Sequence, residues 1–290
     1  MTMAFKVAVF CRRRRFVIMK KIITVFVPLV LSFCLLFMIG CGGGQMDKIK
    51  ERGQLRVGIK SDVPSFGYFD MDSEEFDGIE LDIAREIAKA MLKDETAVSF
   101  RTVTSTSRAP SLKNSTLDLI IATFTITEVR KTEFEFSRPY YIDEIGFLVM
   151  RKSNISNTSQ MNGKTIGVVK KTTAIDSVKT GEISQKADFT EVKEYSSYPE
   201  IKSALTSGEI DIFAGDKAVL LGYNDGDTVL LDEGYMLQPY GIAAKLGEKS
   251  LSDFVDKLLG KMEEDGTLKR LYEKHKLSYS DFTAKKLLLG

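Results

Sequence analysis

Past residue 41 the chain has no cysteine: Cys11, Cys34 and Cys41 are its three thiols, all in the N-terminal segment. A body that begins after Cys41 therefore has no disulfide framework and no cysteine-ligated metal. Histidine is scarcer still, with His275 alone in the sequence. A Ser-His-Asp relay, a Cys-His pair or a histidine-held zinc would have to be built around that one residue. Low-complexity sequence is limited to a single glycine run, and an excess of charge of either sign is missing at first sight, the formal net charge being +1. That balance conceals an asymmetry. Residues 1–41 carry seven bases and no acid, so the remainder sets 34 bases against 40 acids, a net of −6. A mildly acidic body is a poor match for nucleic acid.

The N-terminal segment itself carries a transport signal. Lys20 and Lys21 precede an apolar run over 22–39, closed by Gly40, Cys41 and three glycines. A basic start, an apolar centre and small residues at its end describe a secretory signal. At about 18 residues the run is also just long enough to cross a bilayer, so an uncleaved anchor is the alternative. Met38-Ile39-Gly40-Cys41 resembles the bacterial lipoprotein box, with Met38 where leucine is usual, and the resemblance implies acylation of Cys41. Residues 1–41 are therefore expected to be a lipoprotein signal peptide and 42–52 a tether, made flexible by its glycines. Residues 1–18 add nothing a signal needs, which leaves Met19 as a second candidate start.

The rest reads as an ordinary globular protein, 43% hydrophobic and 28% charged over 290 residues in all, which admits one large domain or two lobes. Residues 54–59 read as a strand and 60–68 as a loop with Pro and Gly breakers. From Ile79 the apolar positions Ile83, Ala84, Ile87, Ala88 and Met91 recur at helical spacing. A strand over 98–103, a short helix over 107–114 and an apolar strand from Leu119 follow. This succession predicts a mostly parallel α/β sheet with helices on both faces. The pattern then restarts, with strands over 146–150, 165–169, 189–195, 210–214 and 240–244, and helices through Val178 and over 198–206. Leu251, Phe254, Val255, Leu258, Leu259 and Met262 mark the last long helix. A second helix through Leu268, Leu271 and Tyr272 is expected to close the fold. Two lobes follow from this, the second (147–239) inserted between the parts of the first (53–146 and 240–290). The strands near 146–150 and 240–244 are candidates for the crossings.

The stretch 119–141 is the most informative. The apolar residues 119–122 are followed by Thr123, Thr125 and Thr127 at alternate positions and then by Arg130. A strand that ends in hydroxyls and an arginine offers peptide N–H groups, short donors and a planar cationic fork in one place. Those groups suit a small carboxylate held at a strand's C-terminal edge.

Eight segments then carry a resemblance: LRVGIKSDVPSFGY, GIELDIAREIA, SRAPSL, TFTITEVR, FSRPYY, GKTIGVVKKTTA, SGEIDIFAGD and EDGTLKRLYEK. In this order and spacing the chain resembles the solute-binding proteins of polar amino-acid ABC importers, family 3, over about residues 47–285. It looks most like the aspartate- and glutamate-binding members, on VGIKSDVP, the arginine before Ala109-Pro110, EYSSYPEIK and QPYGI. The resemblance implies a two-lobed periplasmic-binding-protein fold of type II, two crossing strands as hinge, and a ligand cleft between the lobes. It implies an extracytoplasmic, lipid-anchored, monomeric protein that hands an acidic L-amino acid to a membrane permease, without cofactor or catalysis. Carried over position by position, Arg130 and Thr125 would hold the ligand α-carboxylate, helped by the backbone N–H of Thr173. Asp216 and the carbonyl of Thr123 would receive the α-ammonium. Lys60, Arg108 and Tyr198 would face the side chain, and Tyr240 would lie on a crossing strand near the cleft. Lys171 stands where many members have glycine, and His275 where many have tryptophan.

Elementary electrostatics agrees with these roles. A zwitterion taken from water needs both charges compensated. Arg130 and Asp216 supply one of each sign, and Lys60 with Arg108 adds positive charge beyond what a neutral amino acid requires. Plainer roles exist for each: a helix cap for Asp216, a solvated loop position for Lys60, a surface ion pair for Arg108, a helix staple for Tyr198. Glutamine, cystine or another polar amino acid is the alternative ligand. A cyclic-acid dehydratase on the same fold is a rival, with Glu80 and Asp77 as its candidate carboxyls, and so is a surface adhesin or sensor ectodomain.

Overall fold

The computed structural model describes residues 44–289. The expected signal peptide, Cys41 and the first two glycines of the tether lie outside the described residues. In chain order the elements are α1 (Gln45–Arg52), β1 (Leu55–Ile59), β2 (Asp62–Val63), β3 (Gly67–Asp70), β4 (Glu75–Asp77), α2 (Ile79–Leu92), β5 (Val98–Thr102), α3 (Arg108–Lys113), β6 (Leu119–Ile120), α4 (Glu128–Lys131) and β7 (Phe134–Met150). They continue with β8 (Thr165–Val169), α5 (Thr173–Thr180), β9 (Glu191–Tyr195), α6 (Tyr198–Ser207), β10 (Ile212–Asp216), α7 (Lys217–Leu221), β11 (Thr228–Leu230), β12 (Tyr235–Lys245), α8 (Lys249–Glu264), α9 (Thr267–Lys274) and α10 (Tyr279–Leu287).

One sheet runs through the molecule in the order β5-β1-β6-β12-β7-β10-β8-β9, with β11 added on β7. Its two ends are parallel, β1 with β5 and β6 in the first lobe and β8 with β9 and β10 in the second. The middle is antiparallel, because β7 leads the chain into the second lobe and β12 brings it back. The expected α/β character is present, but the sheet is not mostly parallel as expected: the two lobes share one mixed sheet, because both crossing strands run antiparallel to their neighbours. Apolar periodicity explains the elements: Ile79, Ile83, Ala84, Ile87, Ala88 and Met91 are all buried along α2, and β10 is buried on both faces, as a central strand should be.

Four other expectations change. The tether does not extend through residue 52, because 45–52 forms a helix with Ile49 fully buried; the Gln45 amide donates to Asp118 at 2.5 Å and its N–H to Glu248 at 2.8 Å. With only Met46 and Ile49 apolar, that octapeptide carried too weak a stripe to read. The stretch 60–68 is part of a small three-stranded meander, β2-β3-β4, rather than a loop. The crossing strands are much longer than the apolar runs that announced them, since β7 begins at Phe134 and passes through Arg138-Pro139. Proline lacks a donor and normally breaks a ladder. Here β12 shifts register at Tyr240/Gly241, with Gly241 facing Pro139, and again before Ala243. Finally α10 follows the helix expected to close the fold, and Phe282 buries it against Tyr272 with ring centroids 5.5 Å apart.

Candidate ligand-binding site

The site is built on the segment that leaves β6. Thr123 takes a left-handed backbone, φ +44°, an uncommon state for a β-branched residue. Its N–H is held by Glu80 Oε1 at 2.6 Å, and the same oxygen accepts the Tyr140 hydroxyl at 2.5 Å. Glu80 is delivered there by the turn at Gly78, whose φ of +138° puts its missing Cβ position 2.0 Å from the Phe66 carbonyl oxygen. Only glycine fits that approach. Thr125 then bridges to Tyr240 on β12, and Ile126 donates to the Pro239 carbonyl at 2.7 Å. The threonine segment is thereby laid against the return crossing strand.

Thr127 caps α4, its hydroxyl accepting from the Arg130 N–H at 3.1 Å, and the capped turn aims Arg130 back at the segment. Arg130 Nη1 donates to the Thr125 carbonyl at 2.8 Å, and Nη2 reaches the Lys171 carbonyl in the second lobe at 3.3 Å. Arg108, at the start of α3, donates through Nη1 to the carbonyls of Ala122 and Thr123 at 2.7 and 3.1 Å. Both guanidinium carbons stand over the Phe124 ring, at 4.2 Å for Arg108 and 4.6 Å for Arg130. Two cations that share one aromatic ring repel each other, and burial disfavours the charge of both. Burial, with Arg108 second, pulls Arg130 down to about 9, and burial lowers Arg108.

Lys60 is buried at 4% exposure and pairs with Asp62 at 2.9 Å, with its ammonium 5.2 Å from the centroid of the Tyr198 ring. Burial lowers it and Asp62 raises it in part. The solvated-loop reading of Lys60 is overturned, and Arg108 likewise makes no surface ion pair. Tyr198 opens α6, is itself buried, and stacks on Phe213 at 6.3 Å.

From the second lobe come Thr173 and Asp216. The Thr173 hydroxyl donates to Gln238 Oε1 at 2.5 Å, and its N–H stands in the first turn of α5. Lys171 adopts φ +61° just before, so the backbone makes there the left-handed turn that glycine would make more easily. Asp216 ends β10 and makes no capping bond to the helix that follows, which removes the plain helix-cap reading. Its Oδ2 instead accepts the Tyr240 hydroxyl at 2.6 Å, and burial pushes its carboxyl up.

The nine sequence-predicted ligand-binding residues therefore fall in one region where both lobes and both crossing strands meet, while Cys41 lies outside the described residues. Of these nine, Arg108 and Arg130 line a cleft of about 730 Å³, with Ser105 and Phe124 beside them and Lys171 and Asp176 on the other side; the other seven do not line it. Direct bonds cross the cleft as well: Ser105 Oγ to the Lys170 carbonyl at 2.8 Å and the Tyr223 hydroxyl to the Asp62 carbonyl at 3.0 Å. One expectation is qualified. The Thr123 carbonyl already accepts from Arg108, which leaves it one remaining lone pair for an ammonium.

Three residues of the site go beyond those the sequence singles out for binding. Glu80, a candidate carboxyl only for the dehydratase rival, takes two donors on Oε1 while its Oε2 is buried without a hydrogen-bond partner; burial pushes it up to about 7. Asp77, the other such candidate, is exposed. Gln238 and Asp143 gave no signal, because a glutamine and an aspartate in polar stretches of long strands read as solvent-facing. Asp143 Oδ2 lies 3.2 Å from the Tyr240 hydroxyl. Among the described residues no group of three His, Cys, Asp or Glu side chains is placed to hold a metal ion, and no helix is long and apolar enough to cross a membrane.

Known proteins resemble this chain over almost all of the described fold. It is 34% identical to the ABC transporter glutamine-binding protein GlnH of Bacillus subtilis, over 88% of this chain and 97% of that protein. It is 29% identical to the L-cystine-binding protein TcyJ of Escherichia coli, over 80% and 85% respectively. The crystal structure of a cysteine-binding protein from Campylobacter jejuni superposes with a TM-score of 0.73 at 28% identity, covering 80% of this chain and 93% of that one. An ancestral amino acid-binding protein described as a precursor of cyclohexadienyl dehydratase gives 0.70 at 28% identity, covering 80% and 99%. The family model matches residues 55–278, which take in every residue of the site, and the chain belongs to the bacterial extracellular solute-binding proteins, family 3.

Proposed function

We propose that the protein captures a polar L-amino acid outside the cytoplasm and presents it to an ABC permease, held to the membrane through Cys41, and that its preferred ligand is acidic. Arg130, with Thr125 and the Thr173 N–H, receives the α-carboxylate. Asp216 receives the α-ammonium. Because the two charges come from different lobes, a bound zwitterion favours the closed arrangement.

The observation that carries the acidic preference is Arg108. Lys60 is answered by Asp62, whereas Arg108 is buried, makes no ion pair within 4 Å among the described residues, and leaves its Nε without a partner. Asp216 and Glu80 act on it only at longer range, and a buried cation with no carboxylate in contact is costly. A distal carboxylate of glutamate or aspartate supplies the missing charge. The second reading is glutamine, favoured by similarity to GlnH and to the glutamine-binding protein of Geobacillus stearothermophilus, the latter 35% identical over 70% of this chain. Calorimetric titration of the ligand-stripped protein with the twenty amino acids separates them. An acidic ligand predicts at least a tenfold preference for glutamate or aspartate over their amides, since one or two hydrogen bonds to charged groups are worth about 1.5–3 kcal/mol each. Tighter binding of glutamine removes the acidic assignment, and binding of no amino acid removes the whole reading.

A further inference from the structure

Where the two crossing strands meet the second lobe, Asp143 of β7 and Asp216 of β10 approach the same phenol. Tyr240 Oη is 2.6 Å from Asp216 Oδ2 and 3.2 Å from Asp143 Oδ2. All three side chains are buried, at 0%, 7% and 2% exposure for Tyr240, Asp216 and Asp143. A phenol has one proton and can donate to only one carboxylate at a time. The second contact closes as a hydrogen bond when a carboxyl brings its own proton and donates to the phenol oxygen.

We infer that Asp143 is a positioning residue for Asp216, acting through Tyr240, and that the two carboxyls hold one proton between them which is released when an amino acid's ammonium group settles on Asp216. The inference rests on the ammonium role proposed for Asp216. The ligand arrives with its ammonium already charged, so the departing proton goes to the buffer and no covalent bond changes. Asp143 also accepts the Ala218 N–H on Oδ2 and the Glu144 N–H on Oδ1, both at 2.8 Å, so the first turn of α7 and the hinge strand grip the same carboxyl.

The charged surroundings are few. Lys285 of α10 faces Asp143, and Arg108 and Arg130 face Asp216 from the first lobe. Tyr141 and Tyr198 lie near Asp216, and Glu144 is occupied by Lys217 and Lys285, each at 3.6 Å. Burial, and then the charge of Asp216, push Asp143 up to about 7, in the direction a shared proton requires. Glu80 does not touch the pair, and subtracting a variant from the wild type removes its contribution.

The test counts protons. The full chain is titrated with L-glutamate and L-glutamine by calorimetry in buffers of different ionisation heat, from pH 5.5 to 8.5. The expected result is close to one proton released near pH 6.5, fading towards none by pH 8.5, with affinity weakening by up to about tenfold per pH unit below about 7. In Asp143→Asn the release and the slope should both fall by at least half. A merely structural role for Asp143 would weaken binding equally at every pH and leave the proton count untouched, which overturns the inference. Should Asp143→Asn fail to fold, Tyr240→Phe cuts the same bridge, and a wild type that releases no proton at any pH is decisive alone. Asp216→Asn separates the two claims. If it binds within threefold of wild type, the ammonium reading falls. If it loses binding while Asp143→Asn keeps the wild-type proton count, only the shared proton falls.

Discussion

Arg130 is the residue on which the binding reading turns. It is half-buried, fixed by two carbonyls, and its Arg108 neighbour already makes its charge expensive. Truncating one member of a charge pair buried on binding costs about 2–5 kcal/mol, so Arg130→Ala should weaken every amino-acid ligand by roughly 30-fold to several thousand-fold. Binding within threefold of wild type would mean that the carboxylate is held elsewhere. Glu80 gives a pH signature instead. Its ordinary value of 4.5 is pushed up to about 7 in the folded protein, so folding favours the protonated form. The stabilisation is fully present below about pH 4.5 and is lost as pH rises to about 7, an effect of about 3 kcal/mol. Glu80→Gln should flatten the fall in melting temperature between pH 5 and 8 in the ligand-free protein; parallel curves for variant and wild type would disprove it. The sequence made Arg130 and Asp216 legible because motif and charge both single them out. Glu80 and Asp143 were not, since an acid in a helix's first turn or a strand's polar stretch has an ordinary explanation. Their burial is a tertiary fact.

At the scale of elements, the closed arrangement rests on small contacts at both edges of the cleft. Gly222, just past α7, has its missing Cβ position 2.6 Å from Cδ and 2.8 Å from Cγ of Pro64, beside the bond from Tyr223 to Asp62. A methyl group there cannot be accommodated while the edges touch. Overpacking costs about 1–3 kcal/mol, and here it falls on the closed form alone. Gly222→Ala should therefore weaken amino-acid binding by roughly tenfold or more. The radius of gyration with saturating ligand should rise towards the ligand-free value. Unchanged affinity would mean that Pro64 yields, or that ligand binds without these edges meeting. Strands and helices with a clean period, such as α2 and α8, were legible from their apolar positions. β7 was not, because Arg138-Pro139 interrupts its pattern, and the shifts in β12 that tolerate the proline are set by pairing across a long separation.

For the whole molecule, the proposed anchor makes a clean prediction. Acyl chains on Cys41 would provide the membrane attachment. Cys41→Ser should release the protein into the soluble fraction or leave an unprocessed precursor. Fatty-acid labelling that leaves Cys41 unmarked would support a retained signal anchor instead. The continuous sheet has its own consequence, for how the protein comes apart. β7 and β12 are paired from Phe134 and Lys245 through to Ile145 and Tyr235, and one apolar cluster contains both Ile59 of the first lobe and Phe213 of the second. Melting one lobe would strand half of that ladder and bare that cluster in the other. Scanning calorimetry of the ligand-free protein should accordingly give one peak, with van't Hoff and calorimetric enthalpies in agreement, where two independent domains would give two.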